Sequence, residues 1–469
     1  MRQDGAAREG WGPEMTTHDD PTDQLVPFAD LLDAGGEDPP PVDRRVRRRR
    51  RWIVAIVLLI LVALPLAAGG GYTIWALNAP LPTPVMTAEK PSVSTPGAAG
   101  IAMPTEGASA LSVSGADAYL GAGAGGIWTS SGGDEARPLA SISKLITALV
   151  VLDASPLGGP DDPGPTITFS KADHDLYDEY YVQGATILAM PTGSSMSLRD
   201  ALTAMLLPSA SNYADAVSTW AFGSRSGFVG AARTWLDAHG MTGTTIAEPT
   251  GISARNTATP ADLITLGKLA ASEPTIAAIA AMPSASLGDL GTVSNTNNLL
   301  GVDGITGLKT GNLGPDNYNL LYTSTLDVGI GEPLHITGVV LGVYSRSTVD
   351  SVVRAQLKSI RDGFHAVQLA GEGQQIGSLS TRWGSRAALV VASAPSILTW
   401  SDTAITVDMD VSEPTTYTDG EVVGTITWTA GPNTTTADVV VSGDIEPPTE
   451  WWRLTHPGQL GGDEGASPE

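Results

Sequence analysis

The chain has 469 residues, enough for two or three domains with sizeable cores. It contains no cysteine, which excludes a thiol nucleophile, structural disulfides and thiolate metal sites. Of its net charge of −24, all but −2 lies beyond residue 51, where 17 basic residues face 39 acidic ones. Such a body repels phosphate backbones, so nucleic acid is excluded as a partner.

Residues 1–43 are polar, acidic and Pro-containing, and with the arginines that follow they are expected to form a disordered cytoplasmic tail over 1–51. Seven arginines between Arg44 and Arg51 run directly into an uncharged apolar stretch from Trp52 to Ala76. About 25 residues at roughly 1.5 Å each cross a bilayer about 30 Å thick, and a core helix of that length normally shows a polar face. The stretch 52–76 therefore predicts a transmembrane anchor, with the arginines cytoplasmic and everything C-terminal outside. A cleaved signal peptide fits less well, because the polar lead is long and so is the apolar run.

Residues 77–107, rich in Pro, Ser and Ala, read as an extended linker. From 108 to 370 helical and strand patterns mix, with helices expected at Ala201–Leu207 and Pro260–Ala271 and strands at Tyr318–Ser324 and His335–Val343. Beyond Gly371 short β-rich runs separated by Gly, Pro and Asn-Thr turns predict a small all-β domain over 371–455. Residues 456–469 read as a flexible tail. Gly121-Ala122-Gly123-Ala124-Gly125-Gly126 matches a dinucleotide fingerprint in letters only, since no helix opens after it to receive a pyrophosphate.

The chemistry starts at Ser141-Ile142-Ser143-Lys144. Apolar residues at 142, 145, 146, 149 and 150 follow helical spacing, which places Ser141 near a helix start and Lys144 one turn later on the same face. A serine hydroxyl attacks only when a base takes its proton, and a lysine held neutral by burial and a neighbouring charge can be that base. Six histidines at scattered positions show no close ligand spacing, so a zinc site or a Ser-His-Asp triad is not expected. Ser-x-x-Lys alone is weak, since a solvated helix start has the same letters. Two further segments give it context. Leu206-Leu207-Pro208-Ser209-Ala210-Ser211-Asn212 places hydroxyl and amide groups at a loop between apolar helical stretches. Lys309-Thr310-Gly311 leads toward the strand at Tyr318; there an ammonium and a hydroxyl can meet a carboxylate, and the glycine admits a substrate backbone.

In this order the three segments resemble the serine penicillin-recognising enzymes. More narrowly the chain is similar to the D-alanyl-D-alanine carboxypeptidases, the low-molecular-mass penicillin-binding proteins of peptidase family S11. Arg137-Pro138-Leu139-Ala140-Ser141, Glu248-Pro249-Thr250-Gly251-Ile252 and Asn295-Thr296-Asn297-Asn298-Leu299-Leu300 add to the resemblance. It implies an α/β (α+β) catalytic domain of the serine β-lactamase/penicillin-binding-protein kind over 108–370, with the all-β domain following.

The same resemblance implies roles for matching positions. Ser141 is the acylated nucleophile, Lys144 its general base, and Ser209 a proton relay to the leaving D-alanine. Lys309 and Thr310 hold the substrate carboxylate, with Gly311 beside them. Backbone N–H groups of Ser141 and Asn312 form the oxyanion site. No metal or cofactor is required. The implied partners are peptidoglycan stem peptides ending in D-Ala-D-Ala and β-lactams as covalent inhibitors. One position departs: where the family pattern has Asn two residues after the relay serine, this chain has Ser211, with Asn212 next. That departure supports a second reading, a weakened envelope protein that binds peptidoglycan or a divisome partner, while the shared motifs keep a related DD-endopeptidase, transpeptidase or β-lactamase in view.

Overall fold

The structure is a computed structural model that describes residues 44–461. The expected N-terminal tail lies outside the described residues up to position 43, and so does the end of the expected C-terminal tail from 462. Two compact units divide the chain after Ala79. The first contains one helix, Arg44–Asn78, whose most apolar stretch has a mean hydropathy of 2.8 and continues through Pro65. Among the described residues it is the one single helix long and apolar enough to cross a membrane.

The second unit is built around a five-stranded antiparallel sheet in the order Ile305–Asn312, Tyr318–Leu326, Leu334–Val343, Ala108–Ser114, Thr129–Ser131. Period-two alternation fills both faces. Leu320 and Tyr322 pack with Val353, Leu357 and Ile360 of the helix Arg346–Asp362, while Leu321 packs on the other side with Leu266 and Ala270 of the helix Pro260–Ser272. That second side also receives the helix Ser143–Ala154, whose Leu145, Ile146 and Leu149 enter the main core. Thr259 caps the Pro260 helix through its hydroxyl, with proline at the first turn where its missing N–H costs nothing. The strand carrying Lys309 is left at the sheet's edge, open to the cleft described below.

The second sheet has six strands, ordered Val85–Ala88, Gln375–Ser380, Arg386–Val391, Asn433–Ser442, Val422–Ala430, Ile405–Val411. With the pair Phe364–Gln368 and Ser396–Trp400 it encloses a core centred on buried Trp428. The β-rich module thus takes in Phe364–Gln368, ahead of the expected start at 371, because this strand's partner lies inside the module.

The segment expected as a tether is extended but bound. Val85–Ala88 pairs with Gln375–Ser380, the Ala99 N–H donates to Ser401 Oγ at 2.9 Å, and the Ala102 N–H donates to Ser359 Oγ at 3.0 Å. Val93 packs on the β core, and Ile101 and Met103 pack on the five-stranded sheet. Unpaired backbone in a Pro-rich stretch takes up whatever edge and side-chain partners folding brings to it.

Candidate active site

Ser141 sits on a tight turn. Ala140–Ile142 forms a single 3-10 turn that runs straight into the helix at Ser143, and Ala140 has a left-handed φ of 51°. A non-glycine residue there costs of order 1–2 kcal/mol and persists only where the surroundings hold it. Asn319 supplies part of that hold, its Nδ2 donating to the Pro138 carbonyl at 3.0 Å and to the Leu139 carbonyl at 3.3 Å. Asn256 supplies more: its carbonyl accepts the Leu139 N–H at 2.9 Å and its Nδ2 donates to Ser143 Oγ at 3.1 Å.

Lys144 is fully buried, with Nζ 2.9 Å from Ser141 Oγ and 2.7 Å from the Thr250 carbonyl. Burial drives its amine down to about 7, a shift that the nearby Glu248 carboxylate partly opposes. The second buried amine is Lys309, pushed well below the ordinary lysine range by burial first, then by Lys144 and Arg346. Lys309 Nζ reaches the carbonyl and hydroxyl of Thr310 at 3.3 and 3.4 Å, and Thr310 Oγ1 lies 2.6 Å from Thr296 Oγ1.

Gly311 is required by proximity. A Cβ on it would come within 2.7 Å of the Leu139 carbonyl and 3.1 Å of the Ala140 methyl, so only glycine lets the edge strand pass this close to the turn that carries Ser141. Asn312 ends the strand, and its Oδ1 accepts the Gly314 N–H at 2.8 Å.

Ser209 lies between the helices Leu198–Leu206 and Ser211–Phe222, again with a left-handed φ, here 73°. Ser141, Ser209, Ser211, Thr310, Gly311 and Arg346 share one cleft of about 420 Å³. Asn212 turns the other way: its Nδ2 donates to the Leu188 carbonyl at 2.7 Å and its Oδ1 accepts the Leu188 N–H at 3.2 Å. The amide next in sequence therefore does not substitute for the missing one, and the cleft position belongs to Ser211.

Of the residues expected from sequence, Ser141, Ser209, Ser211, Thr310, Gly311 and Asn312 line this cleft directly, while Lys144 and Lys309 sit beneath it. Several groups went unforeseen. The Thr250 carbonyl partners Lys144, and no side-chain pattern announces a carbonyl. Arg346 donates through Nη1 to the Thr296 carbonyl at 2.7 Å and faces the cleft from the start of its helix. The only local signal for it was the cap Ser345, which marks a helix start and nothing about a site.

Fold and site together define a serine-type peptidase domain of the penicillin-binding-protein kind. Residues 111–342 match the family model described as D-alanyl-D-alanine carboxypeptidase, and this domain belongs to that family. Among solved structures it is similar to penicillin binding protein 5 from Haemophilus influenzae, at 17% identity and a TM-score of 0.48, covering 74% of this chain and all of that one. The D-alanyl-D-alanine carboxypeptidase DacD from Francisella tularensis is similar at 18% identity and a TM-score of 0.49, covering 76% and 97% of the two chains. Penicillin binding protein 6B from Escherichia coli follows at 19% and 0.48, covering 77% and 99%. A sequence comparison with curated proteins finds no match.

Proposed function

We propose that this protein is a membrane-tethered serine-type D-Ala-D-Ala carboxypeptidase that removes the terminal D-alanine from peptidoglycan stem peptides through an acyl-enzyme on Ser141. The observation that carries the reading is the pair Ser141 Oγ and Lys144 Nζ at 2.9 Å, with the amine held near neutrality by burial. In the neutral form Lys144 accepts the hydroxyl proton as Ser141 Oγ attacks the carbonyl of the penultimate D-alanine. The oxyanion develops against the N–H groups of Ser141 and Asn312. Collapse expels the terminal D-alanine, whose amine takes a proton through Ser209, and water then releases the shortened peptide by the reverse route.

Lys309, Thr310 and Arg346 together offer an amine, a hydroxyl and a guanidinium to the substrate's terminal carboxylate. A β-lactam enters the same site because its carboxylate and strained amide copy the two ends of the scissile dipeptide. Glu248 supports this reading over a β-lactamase one: both carboxylate oxygens accept hydrogen bonds from its own turn, so it is not poised to activate water. The arginines before the apolar helix favour a cytoplasmic N-terminus and an extracytoplasmic catalytic domain.

The test is incubation of purified protein with a fluorescent penicillin, with mass spectrometry to locate the adduct, beside an assay for D-alanine release from a D-Ala-D-Ala peptide. A stoichiometric adduct on Ser141 with D-alanine release is expected. Absence of both would favour an envelope protein that binds without reacting.

Ser211 bears on turnover. A hydroxyl is shorter than the carboxamide of the family pattern, so it reaches the substrate amide through a bridging water. Ser211→Asn is expected to preserve or raise D-alanine release, up to about tenfold if one direct hydrogen bond replaces that water. A large loss in the same assay would show that the cleft here is shaped around the smaller side chain.

A further inference from the structure

Glu248 has no part in the reaction just described, yet it is the carboxylate nearest in effect to the base. One oxygen accepts from the Thr250 N–H and Thr250 Oγ1, both at 2.7 Å. The other accepts from the Gly251 N–H at 2.8 Å and the Ser253 N–H at 3.1 Å. The turn is also tied from outside: Thr147 Oγ1 donates to the Pro249 carbonyl at 2.7 Å, and Asn256 Nδ2 donates to the Glu248 carbonyl at 2.8 Å. What these contacts leave pointing at Lys144 is the Thr250 carbonyl, 2.7 Å away.

We propose that Glu248 is a positioning residue for acyl transfer: its carboxylate clamps the turn from Glu248 to Ser253 and so holds the Thr250 carbonyl against Lys144. A neutral amine has two N–H donors and one lone pair. Once an N–H is committed to a fixed carbonyl, rotation about the end of the lysine stem is limited, and the lone pair is kept for the Ser141 proton. The same carbonyl dipole and the carboxylate behind it stabilise the ammonium that forms.

The charges around Lys144 set the direction of the test. Glu248 raises its proton affinity and burial lowers it; the buried Lys309 amine and the Arg346 guanidinium are the other basic groups of the site. From the Ser211 helix, Asp215 is committed to Tyr180 and Arg225. From the Pro260 helix, Asp262 accepts from Thr244 at 2.7 Å. Within the cleft, Ser141, Ser209 and Ser211 are uncharged.

The inference rests on Ser141 acylation, and one experiment separates the two. Penicillin acylation rates are measured from pH 5 to 10 for wild type, Glu248→Gln and Glu248→Asp, normalised to titrated Ser141 sites. Without the negative charge the base stays neutral to lower pH, so the acid limb of Glu248→Gln is expected to move down by about one pH unit. Its plateau is expected to fall about tenfold, because glutamine offers one acceptor oxygen where the turn presents four donors. Glu248→Asp keeps the charge, so its limb stays in place while the plateau falls about threefold from the shortened clamp. No acylation of wild type would overturn the proposed function itself. Acylation with an unchanged Glu248→Gln plateau would overturn the positioning role alone. Should Glu248→Gln not fold, an unchanged plateau in Glu248→Asp overturns it equally.

Discussion

Lys144→Met is expected to slow acylation of Ser141 by a penicillin about 10²–10⁴-fold, the range a positioned general base contributes. Methionine fills nearly the same volume along the same unbranched stem, so the buried site loses its base without gaining a cavity. The Thr250 carbonyl loses its donor, which costs about 1–3 kcal/mol, while removal of a buried amine that resists charging acts in the opposite sense. The melting temperature is therefore expected to stay within about 5 °C of wild type, which separates loss of chemistry from loss of fold. In wild type the pH dependence has a definite sign. As the proposed base, Lys144 acts only when neutral, and its amine is held at about 7, so acylation is expected to rise with pH through that value and level above it. Stopped-flow rates with a chromogenic β-lactam across pH, and a calorimetric melt of each variant, check both statements. A variant acylated at the wild-type rate would remove Lys144 from the mechanism.

Gly251→Ala is the second large effect, and it acts without touching a reacting atom. Gly251 has a left-handed φ of 85°, and a Cβ there would run into the Ala140 carbonyl and lie 3.0 Å from the Ser141 nitrogen. The backbone strain alone costs about 1–2 kcal/mol. The contact must be relieved by moving the nucleophile turn or the turn that carries the Thr250 carbonyl, and a shift of about 1 Å in either costs on the order of 10²-fold in rate. We expect about 2–4 kcal/mol of lost stability and roughly a hundredfold slower acylation. Gly240→Ala is the matched control. Its φ is 70° with open space around the added methyl, so strain should appear in the melt and acylation should stay at the wild-type rate. Equal rate losses in both variants would show that the effect of Gly251 is general destabilisation.

Much of the scaffold was legible from local pattern. The strands expected at Tyr318–Ser324 and His335–Val343 are observed at Tyr318–Leu326 and Leu334–Val343, because period-two alternation and β-branched content agree with burial on both faces. The helix expected at Pro260–Ala271 is observed at Pro260–Ser272, its start marked by Thr259 and proline. The stretch 77–107 was legible only as extended. Composition reports that a segment lacks helical or core signals, but its edge partners come from residues some 290 positions away.

At the site, the order of three short motifs pointed to Ser141, Lys144, Ser209 and Lys309 through its resemblance to a known family, and not through spacing alone. The elements that bring these residues to one cleft and its floor are separated in the chain by whole helices and strands, and their meeting depends on how the sheet and helices pack. Tertiary structure also decided what no single side chain encodes. The partner of Lys144 beyond Ser141 is a backbone carbonyl, aimed by Glu248 and Asn256. Ser211 keeps the cleft position while Asn212 bonds to the Leu188 backbone, since the start of the helix Ser211–Phe222 sets which residue faces which way. The depressed proton affinity of both amines follows from burial, joined at Lys309 by the charges of Lys144 and Arg346 that only folding brings near, which a linear order of residues does not contain.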